Sequence, residues 1–177
     1  MKLNETTLTQ REVYRGKIFT VRSDTVRLEN GAEAGRDVIL HSGGAGVLPI
    51  FENGDVLLVR QYRYGVGHTV LEIPAGKLEE GEDPKVAALR ELQEETGAKA
   101  TEIHFLGELI LSPAYLGEIT YIYAVRATEI GGQNLDEDEF LQVERLPFET
   151  AYEMALDGRI ADVKTALALL RAKPIFF

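Results

Sequence analysis

Glu91, Glu94 and Glu95 stand together in the run Arg90-Glu91-Leu92-Gln93-Glu94-Glu95, with Glu82 just upstream and Arg90 as the one cation beside them. On a helix of about 3.6 residues per turn, Glu91 and Glu95 lie one turn apart and Glu94 flanks them. Like charges so placed repel, by about 0.2–0.5 kcal/mol per exposed pair and by more when partly buried. Something must offset that repulsion. An oxygen-only donor set of this density suits a hard divalent cation, Mg²⁺ or Mn²⁺. The plainer alternative is a solvated acidic helix face. Other catalytic chemistry is poorly supplied. The chain has no cysteine, and His41, His68 and His104 share no spacing that would build a zinc site.

The elements that must present these carboxylates can be read from local signals. Asp83-Pro84 is an N-cap followed by proline at the first helical position, and Gly97 stands where a helix should end. Between them Val86, Leu89, Leu92 and Gln93 form a short stripe at helical spacing. Upstream the pattern is β: an alternating run near Ile18–Leu28, the turn signal Asn30-Gly31, and Arg36–His41. A buried-type run at Val47–Phe51 and an alternating one at Asp55–Tyr64 follow, joined by a turn at Glu52-Asn53-Gly54-Asp55. Downstream, strands are expected at Ile103–Leu111, Ile119–Ala127 and Phe140–Arg145, and helices near Phe148–Leu156 and Val163–Ala172. The elements mix without regular βαβ alternation, which favours an α+β fold with a mixed sheet covered by helices. Residues 1–43 read as a small N-terminal sheet too poor in apolar side chains to stand alone. They must pack on residues 44–177 or on a second subunit.

The 177 residues carry 29 acidic and 19 basic side chains, a net charge of −10. So acidic a surface repels phosphodiester polyanions, and no basic cluster is interleaved with aromatics, so nucleic acid is not an expected partner. The N-terminal stretch has no apolar signal core, and no run approaches the roughly 20 apolar residues of a membrane span. The expected address is the cytoplasm, with no membrane partner.

The whole segment Gly76–Ala98 matches the pattern GX5EX7REUXEEXGU, with Leu92 and Ala98 at the aliphatic positions. The chain thereby resembles the Nudix hydrolases, and a strand ending in Glu72-Ile73-Pro74-Ala75 before the box extends the resemblance. What it implies is hydrolysis of a nucleoside diphosphate linked to another moiety, on an α/β/α sandwich with a mixed sheet and a loop–helix–loop metal site. It further implies two or more Mg²⁺ ions, or Mn²⁺. Carried onto matching positions, Glu91 and Glu95 are the central metal ligands, Glu94 ligates or assists catalysis, and the Ala75 carbonyl is a backbone ligand. Arg90 orients the box carboxylates, Glu82 serves that pairing or a metal, and Gly76 and Gly97 have structural roles.

Outside the box, Ser112-Pro113-Ala114-Tyr115-Leu116-Gly117-Glu118 resembles the SPG…E loop of the ADP-ribose pyrophosphatase subfamily, with Pro113 sixteen residues beyond Gly97 and Ala114 where glycine is usual. Leu135-Asp136-Glu137-Asp138-Glu139-Phe140 resembles the acidic loop of those enzymes. By that likeness Glu137 falls on the catalytic position and Glu139 on a metal position. The N-terminal segment is similar as well, which implies a homodimer whose N-terminal sheets exchange to complete the pocket. Phe19 or Ile18 would then flank adenine, with Arg36 from the partner, Arg63 and Glu72 from the same subunit, and Glu118 at the terminal ribose. The expected reaction is hydrolysis of ADP-ribose to AMP and ribose 5-phosphate. GDP-mannose or ADP-glucose are rival substrates on the same scaffold. A non-catalytic nucleotide sensor is the rival of another class, disfavoured because every box carboxylate is present.

Overall fold

Strand β5 (Gly44–Ile50) is buried at every position, and the sheet of the larger unit is built around it. The computed structural model describes residues 3–129, 131–137 and 139–177. The chain divides into two compact units, Met1–Gly43 with Ile110–Ile119, and Gly44–Leu109 with Thr120–Phe177.

In the larger unit β6 (Asp55–Arg63), β10 (Ile119–Glu129), β9 (Ala98–Ile110) and β11 (Leu141–Pro147) join β5 in the order β11-β6-β5-β10-β9. β7 (His68–Glu72) pairs with β6, and β8 (Ala75–Lys77) pairs with β5. The β5–β10 pair is parallel, Thr120 opposite Gly44 through Arg126 opposite Ile50, whereas β11–β6, β6–β7 and β5–β8 are antiparallel. The sheet is therefore mixed, as the sequence predicts. Successive side chains point to opposite faces, and both faces are covered. Leu48, Ile50, Leu58, Ile122 and Ala124 pack towards α2 (Phe148–Leu156) and α3 (Val163–Phe176). Ala45, Val47, Leu57, Tyr123 and Val125 pack on the other side with Ala87, Ala88 and Leu92 of α1 (Pro84–Thr96). The result is an α/β/α sandwich.

α1 starts where its cap signals place it. The Asp83 carboxylate accepts from the N–H groups of Lys85 and Val86 at 2.9 and 3.2 Å. Gly97 ends the helix at φ 71°, and its N–H donates to Gln93 O. The buried face keeps Leu89 and Leu92 of the expected stripe but not its other two members. Val86 is 57% exposed and Gln93 is exposed, while Glu91 and Glu95 are buried beside Ala87, Ala88 and Leu92. α3 also runs further than expected, through Pro174 to Phe176. The ring of Phe177 lies 4.2 Å from that of Phe148, so packing holds the last turn despite the missing proline N–H.

The smaller unit is a four-stranded antiparallel sheet. β1 (Thr6–Thr9) and β2 (Glu12–Arg15) pair with opposite ends of β3 (Thr20–Arg27), and β4 (Glu33–Leu40) also pairs with β3. Among the described residues Val26 is its one buried apolar side chain. The segment Ile110–Ile119 belongs to this unit through main-chain bonds. Ile39 N–H donates to Tyr115 O at 2.7 Å, and Gly117 N–H donates to Ile39 O at 2.9 Å. No described non-glycine residue has positive φ, so Ala114 sits in its turn without backbone strain.

Candidate metal-carboxylate centre

Arg90 organises the acidic face of α1. Its Nε and Nη2 donate to the two oxygens of Glu82 at 3.0 and 3.2 Å, while Nη1 donates to Glu91 Oε1 at 2.8 Å and to Glu94 Oε2 at 3.0 Å. One guanidinium thus holds three of the box carboxylates, using the planar fork that a lysine lacks. The Arg90 hydrogen bonds, followed by the Glu79 N–H, lower the pKa of Glu82. The pairing raises that of Arg90 still further above its ordinary value. Glu91 moves the other way, because burial outweighs its contact with Arg90.

Glu95 is the exception in this network. It is 1% exposed, and among the described residues its Oε1 accepts one long 3.4 Å bond, from Ala75 N–H, while its Oε2 is buried without a hydrogen-bond partner. Burial, then the charges of Glu91 and Glu139, push its pKa up to about 9. A buried carboxylate oxygen with no donor is costly and rarely tolerated without purpose. The donor set around it is oxygen alone, which fits a hard divalent cation. Among the described residues no three acidic or histidine side chains already form a closed cation cage. Glu91 and Glu94 are instead turned onto Arg90.

The backbone is shaped to allow this crowding. β8 places Ala75 and Gly76 opposite Gly46 and Ala45. A Cβ on Gly76 would stand 1.8 Å from Glu91 Oε1, so only glycine leaves room for the carboxylate. A Cβ on Gly97 would meet Gly131 O at 2.3 Å, in addition to its positive φ. The chain beyond Gly131 then closes over the end of α1. Gln133 Nε2 donates to Glu95 O, and Asn134 N–H to Glu94 O, both at 2.8 Å. The acidic loop follows at once. Its Glu139 acts on Glu91 and Glu95 through its charge, and Glu139 Oε1 is 3.5 Å from Gln61 Nε2. Glu137 is exposed, and Asp138 lies outside the described residues.

Two cavities flank β6 and β7. One, of about 460 Å³, is lined by Glu139 with Arg60, Tyr62, Thr69, Phe140 and Gln142 among others. The other, of about 420 Å³, is lined by Arg63, His68, Val70, Glu72, Asp162 and Val163, with Val66 and Ala161. Arg63 and Glu72 meet there in a two-pronged pair, Nε to Oε1 at 2.6 Å and Nη2 to Oε2 at 3.1 Å. Lys164 also donates to Glu72. Glu72 is 3% exposed, and burial alone would raise its pKa. Arg63 and Lys164 overcome that and leave it lowered. Lys164 and Asp162 were not among the residues expected from the sequence, and a 92-residue separation from Glu72 gave no local signal of the contact.

Phe19, Arg36 and Glu118 belong to the smaller unit. The Phe19 ring lies 5.9 Å from that of Tyr14, and Arg36 forks onto Glu5. Ile18 is 60% exposed. Glu118 Oε1 stands 3.9 Å from His41 Nδ1, which in turn accepts from Gly43 N–H at 3.0 Å.

Residues 40–167 match the family model for the NUDIX domain, and residues 5–39 match that for the nucleoside diphosphate sugar hydrolase N-terminal domain. The chain is 34% identical over 169 residues to the ADP-ribose pyrophosphatase of Bacillus subtilis (strain 168), covering 94% of this chain and 91% of the relative. It is 35% identical over 167 residues to the methanol dehydrogenase activator of Bacillus methanolicus, covering 93% and 90%. A crystal structure of an ADP compounds hydrolase superposes with a TM-score of 0.82 at 25% identity, covering 97% of this chain and 94% of the other.

Proposed function

We propose that this chain, which belongs to the Nudix family, hydrolyses the pyrophosphate bond of ADP-ribose, yielding AMP and ribose 5-phosphate. The observation that carries the reading is the buried, partnerless Oε2 of Glu95, set among carboxylates that one arginine aligns. Such a centre gives a pyrophosphate, itself an anion, a reason to approach a cluster of glutamates only through bound cations. When bound, Mg²⁺ or Mn²⁺ neutralises charge on the pyrophosphate and acidifies water. Glu91, Glu95, Glu139 and the Ala75 carbonyl would hold the ions, two or more in the complete site.

The chain's own groups supply the rest. Arg90 keeps Glu82, Glu91 and Glu94 in register. Glu137, exposed on a loop anchored at Gln133 and Asn134, accepts the proton of the attacking water, with Glu94 assisting. Water adds to one phosphorus, the bridging P–O bond breaks, and each product leaves as a phosphomonoester. The cavity walled by Val66, Val70 and Val163, with Arg63 and Glu72 at its polar side, suits a planar base. Phe19, Arg36 and Glu118 are assigned to substrate binding, and the protein to a homodimer in the cytoplasm. Among the described residues no helix is long and apolar enough to cross a membrane.

Product analysis tests the reading. With Mg²⁺ present, ADP-ribose, GDP-mannose, ADP-glucose and NADH are incubated separately with the protein and with Glu95→Gln. AMP and ribose 5-phosphate released fastest from ADP-ribose, and lost in the variant, support it. Preference for another sugar nucleotide refutes the substrate assignment, and turnover of none refutes the activity.

A further inference from the structure

The bend Glu72-Ile73-Pro74-Ala75 carries both a cavity-lining carboxylate and the residue that meets Glu95, and it is tied at every step. Pro74 O accepts from Val47 N–H at 2.9 Å, and Ala75 N–H donates to Glu95 Oε1 at 3.4 Å. The other ties come from the first turn of α3. Ile73 N–H donates to Thr165 Oγ1 at 2.7 Å across 92 residues of sequence, and Thr165 is fully buried. The same hydroxyl donates to Asp162 Oδ2 at 2.6 Å, and Asp162 also caps the helix by accepting from Thr165 N–H at 3.0 Å. Lys164 Nζ donates to Asp162 Oδ1 at 2.9 Å and reaches over to Glu72.

A helix needs only the cap from Asp162 to begin. The hydroxyl of Thr165 does something more: it spends its acceptor on a strand-end amide of a different layer. Lys164 likewise leaves the solvent side of its helix and supplies the second cation that a buried Glu72 requires. We propose that Asp162, Lys164 and Thr165 are positioning residues, with the α3 start acting as a clamp that sets both Ala75 relative to Glu95 and Glu72 relative to Arg63. The inference rests on the hydrolase reading for its kinetic consequences but not for its geometry. The two halves of the clamp separate. Thr165 acts on the metal-side bend, so its loss falls on kcat; Lys164 acts on the cavity side, so its loss falls on KM.

The test compares Thr165→Val, Thr165→Ser, Lys164→Met and Lys164→Arg, with Glu149→Gln on the exposed Lys173 pair as control. For Thr165→Val, Mn²⁺ affinity by titration falls roughly tenfold or more, as for other groups that orient metal ligands. Amide exchange at Ile73 and Ala75 accelerates, and kcat falls by a similar factor with KM little changed. Thr165→Ser restores all three. For Lys164→Met, KM for ADP-ribose rises roughly tenfold, as expected for a lost charged hydrogen bond, and Lys164→Arg recovers most of it. Unchanged exchange and Mn²⁺ affinity in Thr165→Val overturn the clamp, as does a loss that Thr165→Ser fails to restore. Should Thr165→Val not fold, the Lys164 pair decides: KM and kcat both within twofold of the parent overturn the proposal. If the parent protein turns over no sugar nucleotide, the hydrolase reading fails while exchange and Mn²⁺ binding still judge the clamp.

Discussion

Gly76 is the floor on which the Glu91 carboxylate rests: a methyl group there would stand 1.8 Å from Oε1 and 2.3 Å from Cδ. Gly76 has no positive φ, so its need for glycine is space and not backbone conformation. Gly76→Ala is therefore expected to keep the fold and drive Glu91 off its position beside Arg90. A displacement of about 1 Å near reacting groups costs roughly a hundredfold in rate. Steady-state kinetics with circular dichroism check this. A variant with unimpaired turnover would show that the carboxylate can move without consequence.

Glu95 makes the metal-free protein less stable as the pH rises. Its folded pKa is about 9 against 4.5 for the free side chain. The folded state then holds a proton that the unfolded state gives up throughout that window. Stability is fully present below about pH 4.5 and is lost as the pH climbs towards 9, since the slope follows the difference in bound protons. Glu95→Gln removes the titrating group. Urea unfolding in chelator should show a flatter pH dependence for the variant and, at pH 8, a higher midpoint than the parent.

Divalent cation binding should release protons, because a ligand carboxylate must ionise first. Mg²⁺ or Mn²⁺ is expected to raise the melting temperature, and by more at pH 8 than at pH 5.5. Calorimetric titration in buffers of different ionisation enthalpy counts the protons directly. An equal temperature shift at both pH values would mean that Glu95 is not a ligand.

Arg90→Lys tests whether a point charge can replace a fork. The ammonium cannot serve both oxygens of Glu82 and also bridge Glu91 to Glu94 as the guanidinium does. We expect kcat to fall roughly tenfold to a hundredfold with KM little changed. Activity retained by the lysine variant would reduce the role of Arg90 to charge balance.

The helix that bears the site was legible because its signals are local: the Asp83 cap, Pro84 and Gly97 need no knowledge of the rest of the chain. A continuous apolar run likewise gave the central strand β5, whose Leu48 and Ile50 face one helical layer and Val47 the other, and alternation gave β6. The orientation of α1 was legible only at Leu89 and Leu92. An apolar stripe led to Val86, but the helix turns Glu91 and Glu95 inward, and hydrophobic periodicity is blind to a face buried for the sake of its carboxylates. The site's long-range partners were also hidden. Lys164 reads as an ordinary first-turn residue until the fold brings Glu72 beside it. The Ser112–Glu118 loop was marked by Pro113, while its attachment to Ile39 depends on a main-chain pairing that no side chain announces.

The two bonds from Gln133 and Asn134 to the last turn of α1 make the acidic loop a leash with both ends fixed. Six residues, 135–140, separate Asn134 from the first residue of β11. At about 3.5 Å per residue such a span reaches at most roughly 20 Å when taut, which bounds how far Glu137 and Glu139 can stand from the end of α1. Local concentration falls steeply once a tether outgrows its span. Lengthening this loop would thus dilute its carboxylates without altering one of them, and in the proposed hydrolase the chain length between Asn134 and β11 would set the rate in its own right.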